Sequence, residues 1–564
     1  MNWNLADIVP SFASRSKEWS QSPDVFNILR SGRYPSSCET TNLRVAVKEF
    51  EKDIKDLDEQ AHRSGFPRHF LPIPLQTYRD GLDRQIHGYH SLEAPIRRLP
   101  PEILGRIFVF CLPKQSIGRA TRVKSSRFVV PYSNGAPLVF CQICHSWRVI
   151  ALSTPVLWTS LSLTIRRPYP LNRAVSDRSS YKLLLQTWLS RAGSSQPLSV
   201  RLVAEVSELS ESSPSVMGVL DSLISYSRQW QHISIHLPPT SIKQLFHLPK
   251  GSTPLLESFH IQPVDEWTES RHFISRISFL RSSPRLRGLE FSPPISEPRL
   301  RSLPWSRLTR IAILDAPGVR LTADDCIHIL LSCPNVIHCT LTLSQWPRTD
   351  PLGVIPSPFN KLETLRVVSS VPLTHLIESL QTPKLRVLEI QIPDTLDRGH
   401  FVGWRFDEFV ARSSCQIRKL SLSTPHMLEE DFLACLRCIP SLLSLEVVNR
   451  AIPVITDGSL KHLTRESPTD ATCPLPSLTK FVVRGQPAFT ARALSHMVHS
   501  RWQKHHRAAT IDSGRGHGDD LGSSSQVEVS QVRSLTVECD ASFGRELNAL
   551  LADFVEDGLV VNLR

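Results

Sequence analysis

LETLRVVSSVPLTHLIESLQTPKLRVLEI, residues 362–390, carries the same short figure twice. LETLRV from Leu362 and LRVLEI from Leu385 both read apolar-x-x-apolar-x-apolar, the alternation of a half-buried strand. Between them HLIESLQTP places apolar residues at helical spacing and ends at Pro383, where a helix must stop. The same figure recurs outward in both directions: LESFHI from Leu256, LRGLEF from Leu286, LTRIAI from Leu308, VIHCTL from Val336, IRKLSL from Ile417, LLSLEV from Leu442 and LTKFVV from Leu478. WQHISI from Trp230 reads as a first copy and VRSLTV from Val532 as the last. CIHILLSCPNV and FLACLRCIPSL repeat the helix-then-proline prelude. Starts fall 22 to 36 residues apart through Leu478, and the final step is 54. Self-similarity at that period predicts a stacked array in which no unit buries its apolar face alone.

These copies resemble leucine-rich repeats of irregular period, without the regular corner asparagine. The resemblance implies an α/β solenoid, a horseshoe, over residues 226–564, with an ordinary α/β domain as the structural alternative. Residues 504–526 interrupt it with a polar, glycine-bearing stretch expected to be a flexible loop. Gly514, Gly516 and Gly518 lack the strand before and the Gly-Lys-Ser helix after that a phosphate loop needs. The outward residue between the last two apolar positions of each copy should line the concave face. By register this selects His260, Glu290, Arg366, Glu389, Ser421 and Glu446, a mixed set with no arginine cluster that leaves the ligand class open. Plain solvation is the alternative for each.

Upstream the pattern differs. Residues 1–40 show no sustained period and are expected to form a flexible N-terminus. Residues 41–93 form a helical lead-in: Leu43, Val47, Phe50, Ile54 and Leu57 make one stripe, too short for a coiled coil and expected to pack on its own chain. FPRHFLPIP, residues 66–74, interrupts it before a second helical stretch from Gln76 to Leu92. APIRRLPPEILGRIFVFCLP follows from Ala94, with Pro100 and Pro101 suited to a helix start. Its apolar residues at three- and four-residue spacing give a face wide enough for two surfaces. After a basic linker from Lys114 to about Pro137 comes LVFCQICHSWRVIALSTPVLWTSLSL, where Ile143, Trp147, Ile150 and Ala151 are expected on one helical face.

The order LPPEIL, CHSWR, IALSTP-x-LW over residues 94–162 resembles the F-box, in the variant common in large fungal families. FPRHFLPIP departs from that family's usually continuous lead-in helix. The resemblance implies a small all-α module of three helices that docks by apolar packing on a Skp-type adaptor and, through it, on cullin and RING subunits. By motif position it assigns the contact to Leu99, Pro100, Ile103, Leu104, Ile107 and Phe108. From the second part it assigns Ile143, Cys144, Trp147, Leu157 and Trp158, some of which serve the module's own core. Residues 163–225 would connect or cap.

Composition narrows the remaining classes. In 564 residues the 43 prolines outnumber the 23 glycines, which disfavours glycine-built cofactor folds and suits repeated helix stops. A net charge of +12 comes from scattered arginines without a basic run, so nucleic acid is not expected as a main partner. No stretch reads as a membrane span, and the N-terminus does not read as a signal peptide, so cytoplasm or nucleus is expected. Cys141-Gln-Ile-Cys144-His145 matches the haem-attachment pattern, but nothing directs export and the residues fit the F-box helix. Cys111 and Cys326 lie too far away to complete a zinc site with that pair, and Cys435-x-x-Cys438 reads as repeat core. No catalytic residue, cofactor or metal is expected. The function expected is that of a substrate receptor of an SCF-type ubiquitin ligase. A repeat scaffold using the helices outside any ligase is the alternative, and an oxidoreductase built on the cysteine pair a third reading.

Overall fold

The computed structural model describes residues 25–31, 33–63, 73–113, 128–165, 176–204, 214–264, 277–291, 303–314, 321–346, 359–393, 405–424, 427–449, 453–465, 474–502 and 531–563. The chain divides into two compact units, Met1–Thr164 with Asn172–Arg201, and Ile165–Leu171 with Leu202–Arg564.

The first unit opens with helices α1 (Val25–Ser31), α2 (Ser37–Arg63) and α3 (Ile73–Glu93). Ser36 starts α2 through a reciprocal cap: the Glu39 N–H donates to Ser36 Oγ at 3.3 Å, and the Glu39 carboxylate accepts the Ser36 N–H at 2.9 Å. Arg33 grips the same carboxylate with two N–H donors, and these bonds hold the Glu39 pKa down at about 2. The expected stripe lies inward, with Leu43, Val47, Phe50 and Leu57 buried. Leu43 and Val47 share a cluster with Val25, Ile28, Tyr89 and Leu92. Arg44–Glu93 and Arg79–Asp58 pair across α2 and α3, which run antiparallel. The flexible lead-in expected through residue 40 is therefore corrected from residue 25 onward. Val25 and Ile28, one turn apart, find an apolar partner only when the distant α3 folds beside them. Residues 1–24, the stretch 64–72 and the linker 114–127 lie outside the described residues.

Helices α4 (Pro101–Phe110), α5 (Phe140–Ile143) and α6 (His145–Leu152) follow. Phe108 stacks on Phe140 at 4.3 Å and meets Trp147 at 4.9 Å, forming the aromatic centre of this small core. Ile143 and Trp147 do not share one helix, which corrects that expectation. Cys144 is extended, and its Sγ caps α6 by accepting the Trp147 N–H. Strand β1 (Ser160–Ile165), helix α7 (Ser176–Ala192) and strand β2 (Leu198–Ala204) come next.

The second unit is built on strands β3 (Trp230–Leu237), β4 (Ser258–Pro263), β5 (Gly288–Phe291), β6 (Arg310–Ile313), β7 (His338–Leu343) and β8 (Thr364–Ser369). It continues with β9 (Val387–Gln391), β10 (Lys419–Ser423), β11 (Ser444–Val448), β12 (Lys480–Arg484), β13 (Ser534–Val537) and β14 (Val560–Leu563). Among the described residues of this unit, β3 to β14 follow one another in strict chain order in one long sheet. Every pairing from β3 to β14 is parallel. This is a mixed α/β fold with a long parallel sheet, as a solenoid-like repeat produces.

Each of the eleven motif copies lies on a strand, with its three apolar positions buried, as at Leu385, Leu388 and Ile390. Where a helix precedes the motif it packs the other side: Ala323–Leu331 starts from a reciprocal Thr322–Asp325 cap and buries Cys326, Ile327 and Leu330. The helix then gives way to a four-residue turn, closed by the N–H of the first motif residue onto the carbonyl three residues back. Such bonds join Leu256 to Thr253, Leu286 to Ser283, Val336 to Cys333, Leu385 to Thr382, Leu442 to Ile439 and Leu478 to Leu475. In all six the second turn residue is proline, whose fixed φ suits that place. Six of the 43 prolines have their structural role here.

Two strands escaped the motif search upstream and one downstream. β1 and β2 lie within residues expected to be F-box and connector, and β14 follows the expected last copy. LSVRLVA in β2 alternates cleanly in burial but lacks the apolar residue three positions ahead that opens the other copies. The stretch 504–526, with its glycines, lies outside the described residues.

Candidate docking surfaces

Helix α4 carries two apolar faces. Leu104, Gly105 and Phe108 turn inward. Ile103, Ile107 and Phe110, spaced four and three residues apart on the opposite side, remain exposed, Phe110 at 70%. Gly105 permits a close approach: a Cβ there would stand 3.0 Å from Thr154 Oγ1, which itself donates to the Ile150 carbonyl at 2.7 Å. Helix α6 repeats the arrangement, burying Ile150 and Ala151 while Val149 and Leu152 face outward, and Val156 is exposed in the turn beyond.

The eleven residues assigned to the adaptor contact thus separate. Pro100, Ile103, Ile107 and Ile143 are exposed, and Leu99, Cys144 and Trp147 half-buried. Leu104, Phe108, Leu157 and Trp158 are buried in the module's own core. Trp158 is fully enclosed: its Nε1 donates to the Ala151 carbonyl at 2.8 Å, Trp188 meets it edge-on at 4.9 Å, and the Arg191 guanidinium lies over its ring at 4.5 Å. Phe110, Val149, Leu152 and Val156 were missed. The signal for the first three was present in IFVF and WRVIAL, where a second apolar set falls opposite the first.

On the sheet the six residues selected by register do form one row. The pairing runs His260, Glu290, Ala312, Thr340, Arg366, Glu389, Ser421, Glu446 across successive strands. Its acidic members have partners in place: the His260 imidazole stands 3.3 Å from Glu290, Lys419 pairs with Glu389, and Arg484 pairs with Glu446 at 2.8 Å. Burial pushes the Arg366 pKa down, with Glu389 opposing, and Arg366 reaches Gln391 Oε1 at 3.4 Å. The row presents acid–base pairs rather than free charge.

Reading one outward position per copy missed the other two. In apolar-x-x-apolar the intervening pair also leaves the core, and it places Arg287, Arg310, His338, Arg386 and Arg418 on the exposed face. Several of these line an open cleft of about 580 Å³ formed by Glu257, Arg285, Arg287, Thr309, Arg310, Ile337 and His338. Burial, and then Arg310, hold the His338 pKa below its usual value, with Glu363 opposing.

The cysteines carry no matching arrangement. Burial pushes the thiols of Cys333 and Cys435 up to about 12 and that of Cys141 upward, while Cys144 serves as a helix cap. Among the described residues no group of three or more His, Cys, Asp or Glu is placed to hold a metal ion, and no helix is long and apolar enough to cross a membrane.

No family model matches the chain, and no curated protein matches it. Among solved structures it is similar to a Rad7–Elc1 complex from yeast, at 13% identity over 56% of this chain and 90% of that one, with a TM-score of 0.28. It is also similar to the Toll–Spatzle complex from Drosophila, at 12% identity over 60% of this chain and 45% of that one, with a TM-score of 0.26.

Proposed function

We propose that the chain is a non-catalytic substrate receptor of an SCF-type ubiquitin ligase, acting in cytoplasm or nucleus. The helical unit would dock on a Skp-type adaptor, and the repeat sheet would receive a protein substrate. The single observation that carries this reading is the second apolar face of α4. Ile103, Ile107 and Phe110 stand exposed on the helix whose LPPEIL start resembles the F-box, beside a core already complete without them. A monomer gains nothing by exposing three large apolar side chains on one helix face, whereas burying them under a partner contributes about 25 cal/mol per Å² of apolar surface. The Skp-type adaptor is the partner implied by the sequence resemblance.

The deciding experiment is co-purification of the full chain with a Skp-type adaptor, comparing the native protein with an Ile103→Asp, Ile107→Asp variant. Both positions are exposed, so the variant should melt within a few degrees of the native protein and lose the adaptor. Retention of the adaptor by a folded variant, or its absence from the native protein, would remove the ligase reading and leave the scaffold.

A further inference from the structure

The cleft on the exposed face of β4 to β7 has no role in the adaptor contact. Its cations come from three places: Arg285 in the turn before β5, Arg287 at the next outward position, and Arg310 on β6. None pairs with a described carboxylate within ion-pair distance, in contrast to Lys419 and Arg484 on the same face, which are committed to Glu389 and Glu446. Glu257, the acidic member of the lining, is turned to Gln231, whose amide donates to it at 2.9 Å.

The Arg310 side chain lies close to β5. Gly288 pairs in register with Arg310, and a Cβ at Gly288 would fall 3.6 Å from Arg310 Nε and 3.8 Å from Nη2. These are ordinary contact distances, and the tighter approach is to Ser258 Cβ at 3.2 Å, so a side chain longer than a methyl group at Gly288 would compete with Arg310 for this space. The His338 imidazole borders the same space, and Thr309 and Ile337 close its side.

We propose that this cleft binds an oxyanion, a phosphate or a carboxylate, carried on an extended segment of a protein partner. Planar guanidiniums converging on one open volume suit a tetrahedral or planar oxyanion, which accepts paired N–H donors. A polynucleotide is disfavoured, because its backbone needs a continuous cationic track and the cations of the adjoining row, Lys419 and Arg484, are already paired with Glu389 and Glu446. The proposal deepens the receptor reading by naming the class of segment received, and it rests on that reading for the segment's role.

The test uses the full chain without adaptor, so a failure here leaves the adaptor result standing, and loss of adaptor binding leaves this one standing. Two fluorescent peptides of equal length, one with phosphoserines and one with glutamates in their place, are titrated by anisotropy beside a single-stranded oligonucleotide. At least one peptide should bind, with inorganic phosphate competing, and the stronger peptide identifies the oxyanion. Arg287→Ala with Arg310→Ala should weaken it about tenfold or more. Arg386→Ala with Arg418→Ala, equally exposed on the sheet but outside the cleft, should change it less than about twofold. Gly288→Val retains every cation but places a branched side chain against the Arg310 guanidinium, and should also weaken binding. The proposal falls if neither peptide binds, if the two arginine pairs matter equally, or if the oligonucleotide binds more tightly than both peptides.

Discussion

Phe108 and Ile107 are neighbours in sequence with opposite employment. Phe108 is sealed between Phe140 and Trp147, so Phe108→Ala should cost about 3–5 kcal/mol through lost packing and a residual cavity. A shift in the denaturation midpoint measures this, and a loss under about 1 kcal/mol would contradict the assigned core. His338 supports a pH prediction. Burial lowers its pKa most, Arg310 on β6 lowers it further, and Glu363 before β8 opposes them. The unfolded chain therefore takes up this proton at a higher pH than the folded one, so stability falls as pH drops below about 6.5. Replacing His338 with Gln should shrink the loss of melting temperature between pH 7.5 and 5. Equal losses in both proteins would contradict the environment described. Thiol reactivity should follow burial too: iodoacetamide at neutral pH should label exposed Cys38 and Cys111 well before Cys333, Cys339 or Cys435, as read by mass spectrometry.

At the scale of elements, α4 is the informative case. The spacing in PEILGRIFVF yields a helix with apolar residues most of the way round, and nothing in the ten residues says which side is covered. That depends on α6 and on Thr154 approaching Gly105 closely. Gly105→Ala should therefore destabilise the native protein by about 1–3 kcal/mol, although alanine is the better helix former, because the methyl group would push on the Thr154 hydroxyl, which is held to the Ile150 carbonyl. An unchanged or raised melting temperature would show that the neighbouring segment yields. The adaptor assay probes the other face of the same helix, so the two results are independent.

Over the whole molecule, stability should follow position in the sheet. A repeat array is held by nearest neighbours, so strands with two partners and a covered face open last. Strand β9 pairs with both β8 and β10, whereas β14 pairs only with β13 and exposes Val560. Hydrogen exchange should find amides of β8 to β11 protected longest and those of β14 exchanging first. Uniform protection along the array would instead require cooperativity beyond adjacent repeats.

Much of the repeat unit was legible in sequence because its determinants are local. Three apolar positions per copy, a helix before most of them and a proline at the turn are read within about thirty residues, and all eleven copies lie on strands. The chain alone also marked α2, α3 and the two-faced breadth of α4. Tertiary structure alone decided which face of α4 is free, that Leu157 and Trp158 are core, that α1 packs on α3, and that three arginines from different turns and strands line one cleft. The physical reason is range. Helix and strand periods record which residues prefer to leave water, but not which distant surface accepts them, and a binding cleft exists only once separate repeats stand side by side.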